Sequence, residues 1–200
     1  MLRLVKYFYF LLALYVCFEI IRISVPYYTP DFSRGFLVDK EEIWHFYQYA
    51  LYLHIIFAPI AFLLTIPQLV WKYTKYHPFI GKAYVSIVLF LAGPSGLIMS
   101  FYAFGGGFGK ILFLSLSVLW ITYTYLANSH IRKGNSRAHI HFARGSFILC
   151  NSAILLRLFH YLNIKLDLIH SEHTYLILSF LSWVPFLVGY EIYHKLKKSA

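Results

Sequence analysis

Charge is what this chain has least of. Asp, Glu, Lys and Arg make up 13% of its 200 residues, about half the share of a soluble domain. Acids are the scarcest, 8 against 18 Lys and Arg. The only cysteines, Cys17 and Cys150, fall inside apolar runs, and neither has a CxxC partner. That argues against disulfide frameworks, zinc fingers and dithiol redox motifs, and leaves both as small buried hydrophobes. No catalytic triad is present. Paired-acid chemistry is equally unsupported, because Asp31, Asp39, Glu41, Glu42, Asp167 and Glu172 lie in polar connecting stretches where solvation explains them. The basic residues form no arm or helix, so the +10 net charge does not point to nucleic acid.

Two short features resemble signals that they do not complete. Arg3 and Lys6 precede an apolar run from Leu11 to Ile23, but no small-x-small site follows and Glu19 and Arg22 punctuate its end. An uncleaved first transmembrane helix is expected there. The Gly105–Gly109 run has no strand before it and no Lys-Ser/Thr pair after it, so it is not a phosphate cradle. It reads as a turn, too short for a domain and too flexible for a helix.

Apolar residues make up 60% of the chain and aromatics 20%, a membrane composition. A span needs about 20 apolar residues. Six segments qualify, at about 5–24, 44–70, 82–103, 110–130, 139–162 and 173–194. Pro59, Pro67, Gly93-Pro-Ser-Gly96 and Pro185 interrupt them and predict kinks. The fold class expected is all-α: one multi-pass domain over 1–200, an integral membrane bundle of six transmembrane helices. The second to fifth helices, about 44–162, would form a four-helix core, with the first and sixth packed outside it.

One side of this topology carries Arg3, Lys6, Lys72, Lys75, Lys82, Arg132, Lys133, Arg137, Lys195, Lys197 and Lys198; the other has Arg22, Arg34, Lys40, Lys110 and Lys165. The positive-inside rule then makes both termini cytoplasmic, in a plasma-membrane protein. The gap at 25–43 reads as a short surface loop with a helical turn at its end.

The stretch from Arg137 to His160 is apolar enough for a bilayer, yet it holds Arg144, Arg157, Asn151, His139, His141 and His160. An ionisable group at the bilayer centre costs about 3 kcal/mol on insertion scales and needs partners or water. His54 is the deepest histidine, roughly 15 Å from the outer end of the second span. Asn128, Asn151 and Gln68 read as interhelical glue. Arg144 can reach cytoplasmic headgroups. Arg157 can pair with Glu19, a haem propionate or a quinone.

Two uses of a buried neutral imidazole stand out: axial ligation of b-type haem, and a zinc or similar site drawn from His54, His77, His130 and His139. His139 and His141 project about 200° apart on a helix and cannot share one metal. His139 and His160 lie about 31 Å apart along a helix, at its two edges, which is awkward for haem.

From Leu53-His54-Ile-Ile-Phe-Ala58-Pro59 through His77-Pro-Phe-Ile-Gly81-Lys82-Ala-Tyr84, the Gly105–Gly109 turn, Trp120, Arg137-Ala-His139, Arg144 and Leu156-Arg157-Leu158, the chain resembles domain-of-unknown-function family 2306, an uncharacterised family of bacterial membrane proteins. The resemblance implies His54, His77, His139, Arg144 and Arg157 as signature polar residues and brings no activity. Residues 140–143, Ile-His-Phe-Ala, depart from the family pattern, which favours His139 over His141. The His77-Pro-Phe-Ile-Gly81 entry is also similar to the helix entries of transmembrane b-type cytochromes.

Three readings follow. One is transmembrane electron transfer through histidine-ligated haem b, with a quinone or redox partner. The alternative is a non-redox module, a small-solute or ion carrier or a helper subunit, built on a buried His/Arg network. The third is an intramembrane metal enzyme using the inner histidines.

Overall fold

The computed structural model describes residues 11, 14–15, 17–22, 25–33, 37–70 and 75–199. Among them every regular element is helical, and five helices are long and apolar enough to cross a membrane. These are α1 (Trp44–Val70), α2 (His77–Ser100), α3 (Gly106–Arg132), α4 (Ser136–Leu166) and α5 (Thr174–Lys197). They match five of the six expected spans. The sixth, at 5–24, lies largely outside the described residues. Its residues 17–22 are helical, and buried Cys17 directs its thiol at the Pro59 carbonyl, 3.9 Å away. By internal contacts the chain forms two compact units, 1–99 and 100–200.

In the first unit α1 packs along α2. The Gly93-Pro94 break takes a specific form: α2 widens into a π-turn over Val88–Ala92 and then continues as α-helix from Gly93. Proline removes one helical donor, and the wider turn displaces carbonyls from their usual partners. Ser95 Oγ donates to the carbonyls of Leu91 (2.6 Å) and Ala92 (3.1 Å), which covers them.

Helix α2 starts five residues earlier than expected, because Pro78 occupies its first turn, where the missing N–H costs nothing. Gln68 does join helices, donating to the His77 carbonyl at 2.7 Å. The segment before α1 is more tethered than a surface loop. Besides the expected turn at its end, where Trp44 N–H donates to the Glu41 carbonyl at 3.2 Å, it has a 3-10 turn at its start, Val25–Tyr28; Leu37 is 2% exposed; Tyr28 stacks on Tyr52, and Phe32 meets Trp44 edge to face.

In the second unit α3 and α4 make the closest pairing, and α5 packs against α4 near its basic end. Part of the α3–α4 seam is made of small residues. Ser117, Thr124 and Ala127 of α3 and Gly145 and Ser146 of α4 are buried, and the Thr124 and Ser146 hydroxyls bond at 2.7 Å. Close backbone approach with hydroxyl bonds is how helices associate where lipid offers no hydrophobic drive.

Two expectations change here. Asn151 bonds back to the Phe147 carbonyl of its own helix (2.8 Å) at a turn within α4, where the sequence reading made it interhelical glue. The glycine run supplies a turn only at Gly105 and Gly106, with φ of 94° and 64°; from Gly106 the chain is already helix. Gly109 lies so close to the Phe104 carbonyl that a side chain would not fit.

Candidate functional site

Helix α5 carries an acid inside its apolar length. Glu191 is six residues short of Lys197, about 9 Å along the axis from the basic end. The α3–α4 seam brings Tyr123 and His141 to face it. Tyr123 Oη donates to Glu191 Oε1 at 2.6 Å, and His141 Nε2 lies 3.4 Å from the same oxygen. Tyr190, one residue before Glu191, donates its hydroxyl to the His141 carbonyl at 3.0 Å and pins α5 to α4.

The His194 ring lies face to face with His141, centroids 3.8 Å apart and planes 19° from parallel. Tyr190 stacks on His141 at 5.4 Å, and Phe142 closes the edge at 4.8 Å. His141 keeps 11% of its side chain exposed and Glu191 38%. Beside them a cavity of about 380 Å³ is lined by His141, Glu191, Ile192, His194 and Lys195. Arg144, on α4, is near enough to the Tyr190 hydroxyl to interact with it.

The groups of this cluster are of kinds that can exchange protons. A carboxylate, an imidazole and a phenol share one hydrogen-bonded neighbourhood at membrane depth, where each of them costs free energy unless it has a partner.

The residues singled out by sequence land elsewhere. His54 Nδ1 donates to the Ala92 carbonyl (3.0 Å) beside the π-turn, with Ser95 Oγ 3.4 Å away. His139 Nδ1 donates to the Ala127 carbonyl (2.9 Å) and ties the start of α4 to α3. Both act as staples between helices, the usual use of a partly buried imidazole. His77 opens α2. His130 lies flat on Phe142, centroids 5.3 Å apart. Arg157 is exposed and donates back to the Ala153 carbonyl at 3.0 Å, while Glu19, the acid proposed for it, is held by Arg22 at 2.7 Å.

Among the described residues no three His, Cys, Asp or Glu side chains stand close enough to hold a metal ion. Haem ligation gains no support within either unit. The histidine rings that do face each other, His141 and His194, touch at van der Waals distance and leave no slot for a porphyrin.

The sequence reading passed over Glu191 and Tyr123 and set His141 aside for His139. A signal was available: of the five spans, only α5 contains an acidic residue, and that residue is Glu191.

Residues 51–193 match a family model described as predicted membrane protein (DUF2306), which covers well over half of the chain, so the chain belongs to that family. No curated protein and no solved structure matches. The matched region extends past the segment that carried the resemblance and takes in Tyr190 and Glu191.

Proposed function

We propose, with membership of an uncharacterised membrane family as the premise, that this protein is a proton-handling module of the cell membrane whose working group is the Glu191–His141–Tyr123 network. This is the alternative of a carrier or helper subunit with a buried polar network, in which Glu191 and Tyr123 replace the arginines as the partners of histidine. The carrying observation is the 2.6 Å Tyr123–Glu191 hydrogen bond with His141 on the same oxygen, inside a helix long enough to span a bilayer. A carboxylate in a spanning helix needs partners, and a phenol and an imidazole at one of its oxygens supply them.

The test is a pH titration of the protein in lipid, followed by difference infrared spectroscopy of its carboxyl band. Wild type is expected to show a titrating carboxyl absent from Glu191→Gln, with an imidazole change absent from His141→Asn. An identical titration in Glu191→Gln assigns the proton to another group and sinks the reading.

Topology belongs to the same proposal. Six spans, with the first at about 5–24, would put both termini on the cytoplasmic side, as the Lys and Arg distribution favours. Single-cysteine variants in a Cys17→Ala, Cys150→Ala background check this. Ser136→Cys is expected to react with an impermeant maleimide only after cells are opened, and Ser171→Cys in intact cells; the reverse pattern inverts the topology.

A further inference from the structure

The cavity beside Glu191 has the size of a ligand site. Its volume, about 380 Å³, falls in the range of small-molecule pockets and exceeds what a water or an ion needs. It lies within α5's apolar length, so a ligand arriving from the membrane must be lipid-soluble. Along the same face Val188, Ile192 and Leu196, at successive i+4 positions, are 51%, 56% and 66% exposed and make an apolar track that leads into the site. The polar part of the wall is a carboxylate acceptor, Glu191, with the flat ring of His194, stacked on His141, beside it. Lys195 also lines it.

A fatty-acid headgroup would set its charge against Glu191, and a simple lipid tail would make no use of the acceptor. What fits is a flat ring bearing a hydroxyl donor and an apolar tail: the ring lies against an imidazole face, the hydroxyl donates to Glu191, and the tail follows Ile192 and Val188 into lipid. We propose that this cavity binds the headgroup of a lipid-soluble quinol. The inference rests on the proton-handling reading for the identity of the acceptor, but not on the proton moving.

The experiment is native mass spectrometry of the full chain released from nanodiscs loaded with decylubiquinol or with its dimethyl ether, which has the same shape and no hydroxyl donor. The expected result is a saturable adduct of one quinol per chain, at least tenfold weaker for the ether, and at least tenfold weaker for quinol in Ile192→Trp, which fills the cavity. Equal binding of quinol and ether by the wild-type chain, or adducts that do not saturate, overturns the proposal without reliance on any variant. Saturable quinol binding with no titrating carboxyl at Glu191 would overturn the proton-handling reading alone; titration without quinol binding would overturn this one alone.

Discussion

Replacing Gly109 with alanine is expected to destabilise the second unit by about 3 kcal/mol, the upper end for overpacking a tight contact. The new methyl would fall onto the Phe104 carbonyl oxygen, with the carbonyl carbon at 3.0 Å and Leu176 Cδ2 at 3.2 Å. Neither neighbour yields easily. Phe104 is backbone, fixed by the left-handed Gly105 that follows it and by the Gly109 N–H, which donates to the Gly105 carbonyl at 3.2 Å. Leu176 belongs to α5 and also lies against Gly105, so displacing it disturbs the contact of α5 with α3.

Gly107→Ala is the control. It sits in the same helical turn with nothing within 4 Å of an added methyl, so helix propensity alone should make it neutral or more stable by up to about 1 kcal/mol. Thermal unfolding in one detergent separates the two. A Gly109→Ala protein that melts with the parent would show that the turn opens freely, contrary to its geometry.

Much of the fold was legible because one physical demand dominates it. A membrane chain must satisfy its backbone inside each crossing segment, so apolar length alone locates α1 to α5 within a few residues. What apolar length cannot register is how a helix passes a proline. The Pro94 break became a π-turn because Ser95 and His54 are placed to cover carbonyls, and that depends on two helices packed together rather than on one segment.

The site was less legible for a related reason. Histidines attract attention as ligands, but an imidazole is also the right size to reach across to a neighbouring carbonyl, and His54 and His139 do that. Counting ionisable residues concentrated on the segment richest in them, α4. The decisive partner lay alone on α5, and a lone acid gains meaning only when packing brings Tyr123 and His141 to it.

The dependence of the site on the α3–α4 seam yields the other large effect. Gly145 has no side chain because the Tyr123 ring fills that space; an added methyl would overlap ring carbons Cδ1 and Cε1, with Cγ at 3.4 Å. Tyr123 is held from its far end by the bond to Glu191, so the ring cannot swing aside without giving up that bond. Gly145→Ala is therefore expected to destabilise the unit by about 2–3 kcal/mol, from overpacking plus the lost hydrogen bond, and to change the carboxyl titration of Glu191 although residue 145 reaches that acid only through the Tyr123 ring.

Tyr123→Phe keeps the ring and loses only the hydroxyl, so it should alter the titration at a cost of about 1 kcal/mol and leave the Gly145 clash in place. Tyr123→Ala removes the ring. In that background Gly145→Ala should cost little, because the methyl enters the space the ring has vacated. The double-mutant cycle should then show a coupling of at least about 1 kcal/mol between Gly145 and Tyr123. Additive effects would mean that Gly145 serves the seam in some other way, and that Tyr123 is not positioned through it. Coupling, together with a changed titration in Gly145→Ala, would show that a small residue on α4 sets the distance at which a phenol on α3 meets a carboxylate on α5.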